Sequence, residues 1–392
     1  MDRRVVLLAT LLCAALTGLA RVCQAQQSHS WWTSETPAPG GPNQVGTLSL
    51  QMTDAARRDP YLTGGSNRKV IVRFWYPALT QSCQQAEYTS ARVWSYVSRL
   101  AGSPLPAVKT HSCLNATAVA GAHPVIVFSH GYTGTLTDAT FLFEDLASRG
   151  FIVASIAHTY ETTAVEFPDG RLVTSAVGSY ISGDLRLDDA SLQRARSVRL
   201  ADMNFVLHEL QRMNAAPGGP LAGSLDLSRI GVMGHSLGGG IAISSLAREP
   251  RFQAAVALDG MFASSSITAT SKPALLITAD RDQWSAEECQ LWTALHGPRT
   301  AINLRGADHF TPTDAIWLFQ SLPGFAASVG SMGRTKTIAA IRSYVAAFFE
   351  ASLHGNAEAE LLNTSAYPDA IVINQTQALC RSNSISSKRG PQ

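Results

Sequence analysis

The residues best suited to chemistry in this chain are Gly234-His235-Ser236-Leu237-Gly238. Two glycines bracket a serine at the spacing GxSxG. That spacing lets a strand and a helix approach across a strained turn and lifts the hydroxyl to the sheet edge. A serine so placed becomes a nucleophile for acyl transfer when a base takes its proton, and the base needs an orienting acid. The pattern alone arises by chance about one time in ten in a chain of this length. Its flanks carry more weight. Ile230-Gly231-Val232-Met233 reads as a buried strand ending at Gly234, and Gly238-Gly239-Gly240-Ile241-Ala242 opens a helix of small residues. A nucleotide-binding turn would need GxGxxG or GxxxxGK[ST], and neither occurs.

The partners follow in the chain order serine, acid, histidine. Downstream histidines are His296, His309 and His354. Only His309 follows a predicted strand (301–304) directly, in the loop Arg305-Gly306-Ala307-Asp308-His309-Phe310, and it is the expected base. Two strand-end loops qualify for the acid. Asp259 ends the strand 254–258, and Asp280 and Asp282 follow the strand 275–278. An oxyanion hole combines the amide after the nucleophile, Leu237, with one from an early strand-to-helix loop. The loop His130-Gly131-Tyr132 supplies the second amide, that of Tyr132. His130 and His235 flank the site and read as structural hydrogen-bonding residues. His158, at another strand end, either lines the site or is a bonded strand-end histidine.

The elements that must position these residues alternate. Short apolar runs at 125–128, 151–157, 229–233, 254–258, 274–278 and 301–304 read as buried strands. Helices are predicted near 141–149, 190–213, from 237 onward, and 337–353. Alternation of this kind implies a parallel sheet covered by helices on both faces. Before it, 45–52 and 69–76 read as strands, and 79–122 as polar and irregular. No repeat or linker divides the chain. The expectation is one α/β domain of the α/β-hydrolase fold with a mostly parallel sheet, over 45–355.

Residues 1–25 read as a signal peptide: Arg3 and Arg4, an apolar stretch at 5–20, then the small-x-small site Cys23-Gln24-Ala25. Residues 26–44 read as a flexible leader and 356–392 as a C-terminal extension. No later stretch approaches a membrane-spanning length, so a secreted or periplasmic protein is expected. Four cysteines then remain, Cys83, Cys113, Cys289 and Cys380, and four allow three pairings. Cys83 with Cys113, both in the polar insertion, and Cys289 with Cys380 is the expected one. No Cys/His spacing suits zinc, and no metal or cofactor is expected. Sequons stand at Asn115, Asn363 and Asn374. The 392 residues are 45% apolar and 15% charged, with a formal charge of +2. That suits a globular core and argues against a nucleic-acid partner.

Taken together, the chain resembles the platelet-activating factor acetylhydrolase family, group II type. The residues that carry the resemblance include Pro124-Val125-Ile126-Val127-Phe128-Ser129-His130-Gly131, Gly234-His235-Ser236-Leu237-Gly238-Gly239, Ala257-Leu258-Asp259 and Arg305-Gly306-Ala307-Asp308-His309. The resemblance makes Asp259 the triad acid and the amides of Tyr132 and Leu237 the oxyanion donors. It implies metal-free hydrolysis of short or oxidised acyl esters at the sn-2 position of phospholipids, with contact at a lipid surface. Ala279-Asp280-Arg281-Asp282 and Gly306-Ala307-Asp308-His309-Phe310 also look like secreted polyester hydrolases of the cutinase type. In those the acid would fall at Asp282. A carboxylesterase or polyester hydrolase is therefore the alternative, and a non-catalytic binding protein on a hydrolase scaffold stands further back.

Overall fold

The strands fall where apolar, β-branched runs predict them. They are β1 (Gln44–Arg58), β2 (Asn67–Leu79), β3 (Gln85–Glu87), β4 (Lys109–Leu114), β5 (Thr117–Ala118), β6 (His123–Ser129) and β7 (Ile152–Ala157). After them come β8 (Ala164–Glu166), β9 (Leu172–Thr174), β10 (Leu225–His235), β11 (Phe252–Leu258), β12 (Ala274–Thr278), β13 (Arg299–Leu304) and β14 (Ala370–Ile373). The helices are α1 (Ala91–Leu100), α2 (Thr140–Ser148), α3 (Asp189–Ala215), α4 (Leu237–Arg248), α5 (Ala286–Ala294), α6 (Ala315–Leu318) and α7 (Arg334–Phe349). This computed structural model describes residues 35–79, 83–105, 107–319, 329–355, 359–373 and 380. The signal segment 1–25 and the sequon at Asn374 lie outside the described residues.

One sheet runs in the order β14-β13-β12-β11-β10-β6-β7-β2-β1-β4-β3, with β5 beside β2. The strands from β13 to β7 are mutually parallel. Antiparallel pairs, β13 with β14 and β7 with β2, flank that block. This is the α/β-hydrolase arrangement. Along β6 the side chains alternate: Ile126 and Phe128 enter a core with Phe141, Phe143 and Tyr344 from α2 and α7. Val125 and Val127 enter another with Val206, Ile241 and Leu291 from α3, α4 and α5. Burial on both faces is why β6 is apolar from Pro124 to Phe128 rather than alternating.

Three expectations change. The stretch 79–122 is not irregular: Ser90 caps α1, its side chain accepting from the Val93 amide, and α1 buries Val93 and Val97. That i, i+4 pair is a helical stripe that its polar surroundings hide. The leader is not free from Glu35 onward. The Thr36 hydroxyl donates to the buried Glu144, Gly41 donates to Ser148, and Arg342 donates to the carbonyls of Pro37 and Ala38. The C-terminal extension supplies β14, so the sheet does not close before residue 370.

The disulfides Cys83–Cys113 and Cys289–Cys380 are the expected ones. The first staples the insertion that carries α1, and the second ties the chain beyond β14 to α5. Among the described residues no helix is long and apolar enough to cross a membrane.

Candidate active site

Strand β10 passes into α4 through Ser236, whose φ of 54° and ψ of −121° form a strained turn. Its neighbours must be glycines. A Cβ on Gly234 would lie 2.2 Å from the Gly238 carbonyl oxygen, and one on Gly238 would lie 1.9 Å from that of Ser129. The turn is tied into the next strand end: the Ser236 amide donates to Leu258, and Met261 donates to the Ser236 carbonyl.

From this turn a hydrogen-bonded chain runs outward. Ser236 Oγ lies 3.0 Å from His309 Nε2, and His309 Nδ1 lies 2.6 Å from Asp259 Oδ2. Asp259 directly follows β11 in a left-handed conformation, φ 42°, which turns its carboxylate toward the loop after β13. Its other oxygen accepts from the Ala279 amide and from Arg281. Burial by itself would raise this carboxyl. The His309 hydrogen bond and the Arg281 charge outweigh burial and hold it below the usual aspartate range.

The other two candidate aspartates stand elsewhere. Asp280 accepts from the Gly306 amide at 2.8 Å and so braces the loop that carries His309. Asp282 is 89% exposed in its side chain and pairs with Arg305. His296 and His354 are not part of the chain of bonds: the His296 amide bonds Thr270, and the His354 ring lies against Phe151.

Leu237 opens α4, and Tyr132 stands in the loop after β6. Neither amide is used by a backbone turn, loop or cap bond among the described residues. Gly131 abuts the serine closely: a Cβ there would be 2.8 Å from His235 Nδ1 and 3.6 Å from Ser236 Cβ. The α4 N-terminus at Ser236 adds a partial positive charge.

The flanking histidines are buried and neutral. His235 Nε2 donates to the His309 carbonyl at 2.8 Å. Burial, then the nearby His309, push it down to about 3. Burial also holds His130 well below the usual range and His158 at about 4. His158 Nδ1 donates to Asp202 at 3.0 Å, and the Ser129 hydroxyl lies 2.9 Å from its Nε2. Ser129, His158 and Asp202 thus form a second serine–histidine–aspartate chain, wholly sealed from solvent.

Beside Tyr132 a cleft of about 750 Å³, counted to its open mouth, is bounded by Val93, Val97, Tyr180, Phe310 and Leu318. α1 therefore forms part of its wall. Half-buried Asp138 and buried Asp314 also line it, and loss of solvation pushes their carboxyls up to about 6 and about 7.

Sequence reasoning passes over Arg281 and Arg199. Arg281 sits in the very segment inspected for an acid, but its role depends on pairing with Asp259 and Glu288. Arg199 is one arginine among several on α3, and only the fold shows that it is buried.

Comparisons with known proteins agree with this fold. A sequence model of the family described as platelet-activating factor acetylhydrolase, isoform II, matches residues 29–168 and 214–360. A probable 1-alkyl-2-acetylglycerophosphocholine esterase of Arthroderma benhamiae is 24% identical over 381 residues, covering 86% of this chain and 93% of that protein. The platelet-activating factor acetylhydrolase of Cavia porcellus is 25% identical over 57% of this chain and 55% of its own length. A cutinase of Thermobifida alba is 27% identical over 48% of this chain and 53% of its own length. Among solved structures, a ferulic acid esterase from Streptomyces cinnamoneus superposes with a TM-score of 0.74 at 32% identity, covering 87% of this chain and 99% of that one. Matched across well over half its length, the chain belongs to the family of platelet-activating factor acetylhydrolase, isoform II.

Proposed function

We propose that this carboxylic-ester hydrolase cleaves short or oxidised sn-2 acyl esters of phospholipids through an acyl-enzyme on Ser236. The observation that carries the reading is the chain Ser236–His309–Asp259 opening beside an apolar cleft. His309 Nε2 takes the hydroxyl proton as Oγ bonds to the ester carbonyl carbon. Asp259 holds the ring and steadies the imidazolium that forms. The amides of Leu237 and Tyr132 receive the oxyanion, each such donor being worth about 10²–10³ in turnover. The bond to the alkoxide leaving group then breaks, and His309 returns the proton to that oxygen. A water, deprotonated by His309, attacks the acyl-enzyme; the acyl bond to Ser236 Oγ breaks, His309 returns the proton to Oγ, and the carboxylic acid leaves.

The relatives' names support the phospholipid class. Two disulfides and the expected signal segment support export from the cell. A second reading is an exported carboxylesterase acting on polyesters or aromatic acyl esters. The aromatic residues of the cleft wall favour it, as does the likeness to a cutinase and a ferulic acid esterase.

Labelling by a fluorophosphonate, abolished in Ser236→Ala, tests the nucleophile; unlabelled folded wild-type protein rejects it. A short sn-2 phospholipid run beside p-nitrophenyl esters of rising chain length and a feruloyl ester separates the substrate readings. Preference for long-chain or feruloyl esters over the phospholipid would reject the first.

A further inference from the structure

We infer that Arg199 is a positioning residue that aims the Tyr132 amide at the developing oxyanion by holding the Gly131 carbonyl on the opposite side of the same peptide. The inference rests on the reading of Tyr132 as an oxyanion donor. Arg199 lies on α3, buried, with its Nε donating to Glu161 at 2.7 Å. Its terminal nitrogens donate to the carbonyls of His130 and, at 3.1 Å, of Gly131. One guanidinium therefore clamps two successive peptide planes of the loop after β6, which its fixed fork of donors allows and a lysine could not repeat.

A trans peptide is planar, with its C=O and N–H pointing in opposite directions, and no cis peptide occurs among the described residues. Fixing the Gly131 carbonyl toward Arg199 thus turns the Tyr132 N–H away from it. Gly131 and Tyr132 both line the cleft there, and Gly131 lies against Ser236.

The same carbonyl also accepts from His130 Nδ1 at 2.6 Å and from the Gly134 amide at 2.9 Å. Three donors on one oxygen leave the peptide little freedom to rotate. They also polarise it, which makes its N–H a stronger donor. The sealed Ser129–His158–Asp202 chain backs this clamp, because Arg199 also donates to the Ser129 hydroxyl at 3.3 Å. In this role that second chain is a brace, not a spare nucleophile.

The test compares wild-type enzyme, Arg199→Lys, and Arg199→Met combined with Glu161→Gln, which removes both buried charges together. Each is assayed on p-nitrophenyl acetate and on its thionoester, with active sites counted by end-point fluorophosphonate labelling. Sulfur accepts hydrogen bonds poorly, so a thionoester gains little from an oxyanion hole, and the ester-to-thionoester rate ratio reads the aim of its donors. The expected result in the double variant is a fall in kcat on the ester of about 10- to 10²-fold, below the cost of deleting a donor outright. KM stays near the wild-type value, the rate ratio falls by the same factor, and Arg199→Lys lies between. If the double variant does not fold, Arg199→Lys carries the same comparison alone. An unchanged ratio, whatever happens to kcat, overturns the inference and leaves the Ser236 mechanism standing. Failure of wild-type protein to label would instead reject the mechanism.

Discussion

His235, immediately before the serine, donates from Nε2 to the backbone carbonyl of His309, 74 positions later, at 2.8 Å. The Ser236 turn thus holds the backbone of His309, the proposed base that it faces. His235 Nε2 carries a proton whether the ring is neutral or charged, so this bond to the carbonyl does not depend on pH between acid and neutral solution. His235→Ala is expected to lower kcat by about 10²-fold with KM within about twofold, because a displaced base reacts poorly though substrate still binds. Steady-state kinetics at pH 5 and 8 check this; a full-speed variant would reject it.

Asp259 and Asp282 give the sharpest contrast. Asp259→Asn removes the group that fixes the His309 tautomer, and a fall in kcat of about 10⁴-fold is expected. Asp282 is exposed and pairs with Arg305, so Asp282→Asn is expected to stay within about twofold, as surface ion pairs contribute little. Parallel kcat measurements decide between the two aspartates.

Asp314 predicts an unusual pH dependence of stability. Its carboxyl accepts from the Thr140 and Phe141 amides and from Trp317 Nε1. Burial still raises it to about 7. In the unfolded chain it titrates near 3.9. Between about pH 4 and 7 the folded protein therefore holds a proton that the unfolded chain has lost. Stability falls as pH rises across that window and levels off above it. Asp314→Asn, which cannot titrate, is expected to show a flatter Tm between pH 4 and 7. An identical slope in both proteins would count against the assignment.

The cleft wall predicts a change in chain-length preference. Val97 reaches the cleft from α1. Val97→Trp is expected to cut kcat/KM for hexanoyl esters by about tenfold or more while acetyl esters lose less than about threefold, as pocket volume discriminates by methylenes. Equal losses on both would place the acyl chain elsewhere.

The sequence made the Ser236 turn legible because a Cβ on Gly234 or Gly238 would lie 2.2 or 1.9 Å from a backbone carbonyl oxygen, which no other residue tolerates. Strands such as β6 and β12 were legible because burial on both faces leaves an unbroken apolar run, 124–128 and 274–277, along each. Helix α1 was harder, since its short stripe of Val93 and Val97 sits among polar residues and a disulfide. The clamp on Gly131 was not legible at all. Arg199 and Glu161 lie 38 residues apart, and Arg68 and Asp202 lie 134 apart. Nothing local marks a charged residue as buried. The choice between Asp259 and Asp282 likewise depends on where two loops meet, which spacing does not encode.

Strand β14 separates two milestones in the life of the molecule. Ser236, Asp259 and His309 have all been made once residue 309 is synthesised, yet the partner for the open edge of β13 comes only from 370–373. Until then β13 presents unpaired backbone groups that any neighbouring strand can join. A nascent chain that stalls in between carries every proposed catalytic group and an adhesive flank. Its hazard is self-association with other unfinished copies, ended when the last strand zips down and Cys380 fastens it to Cys289.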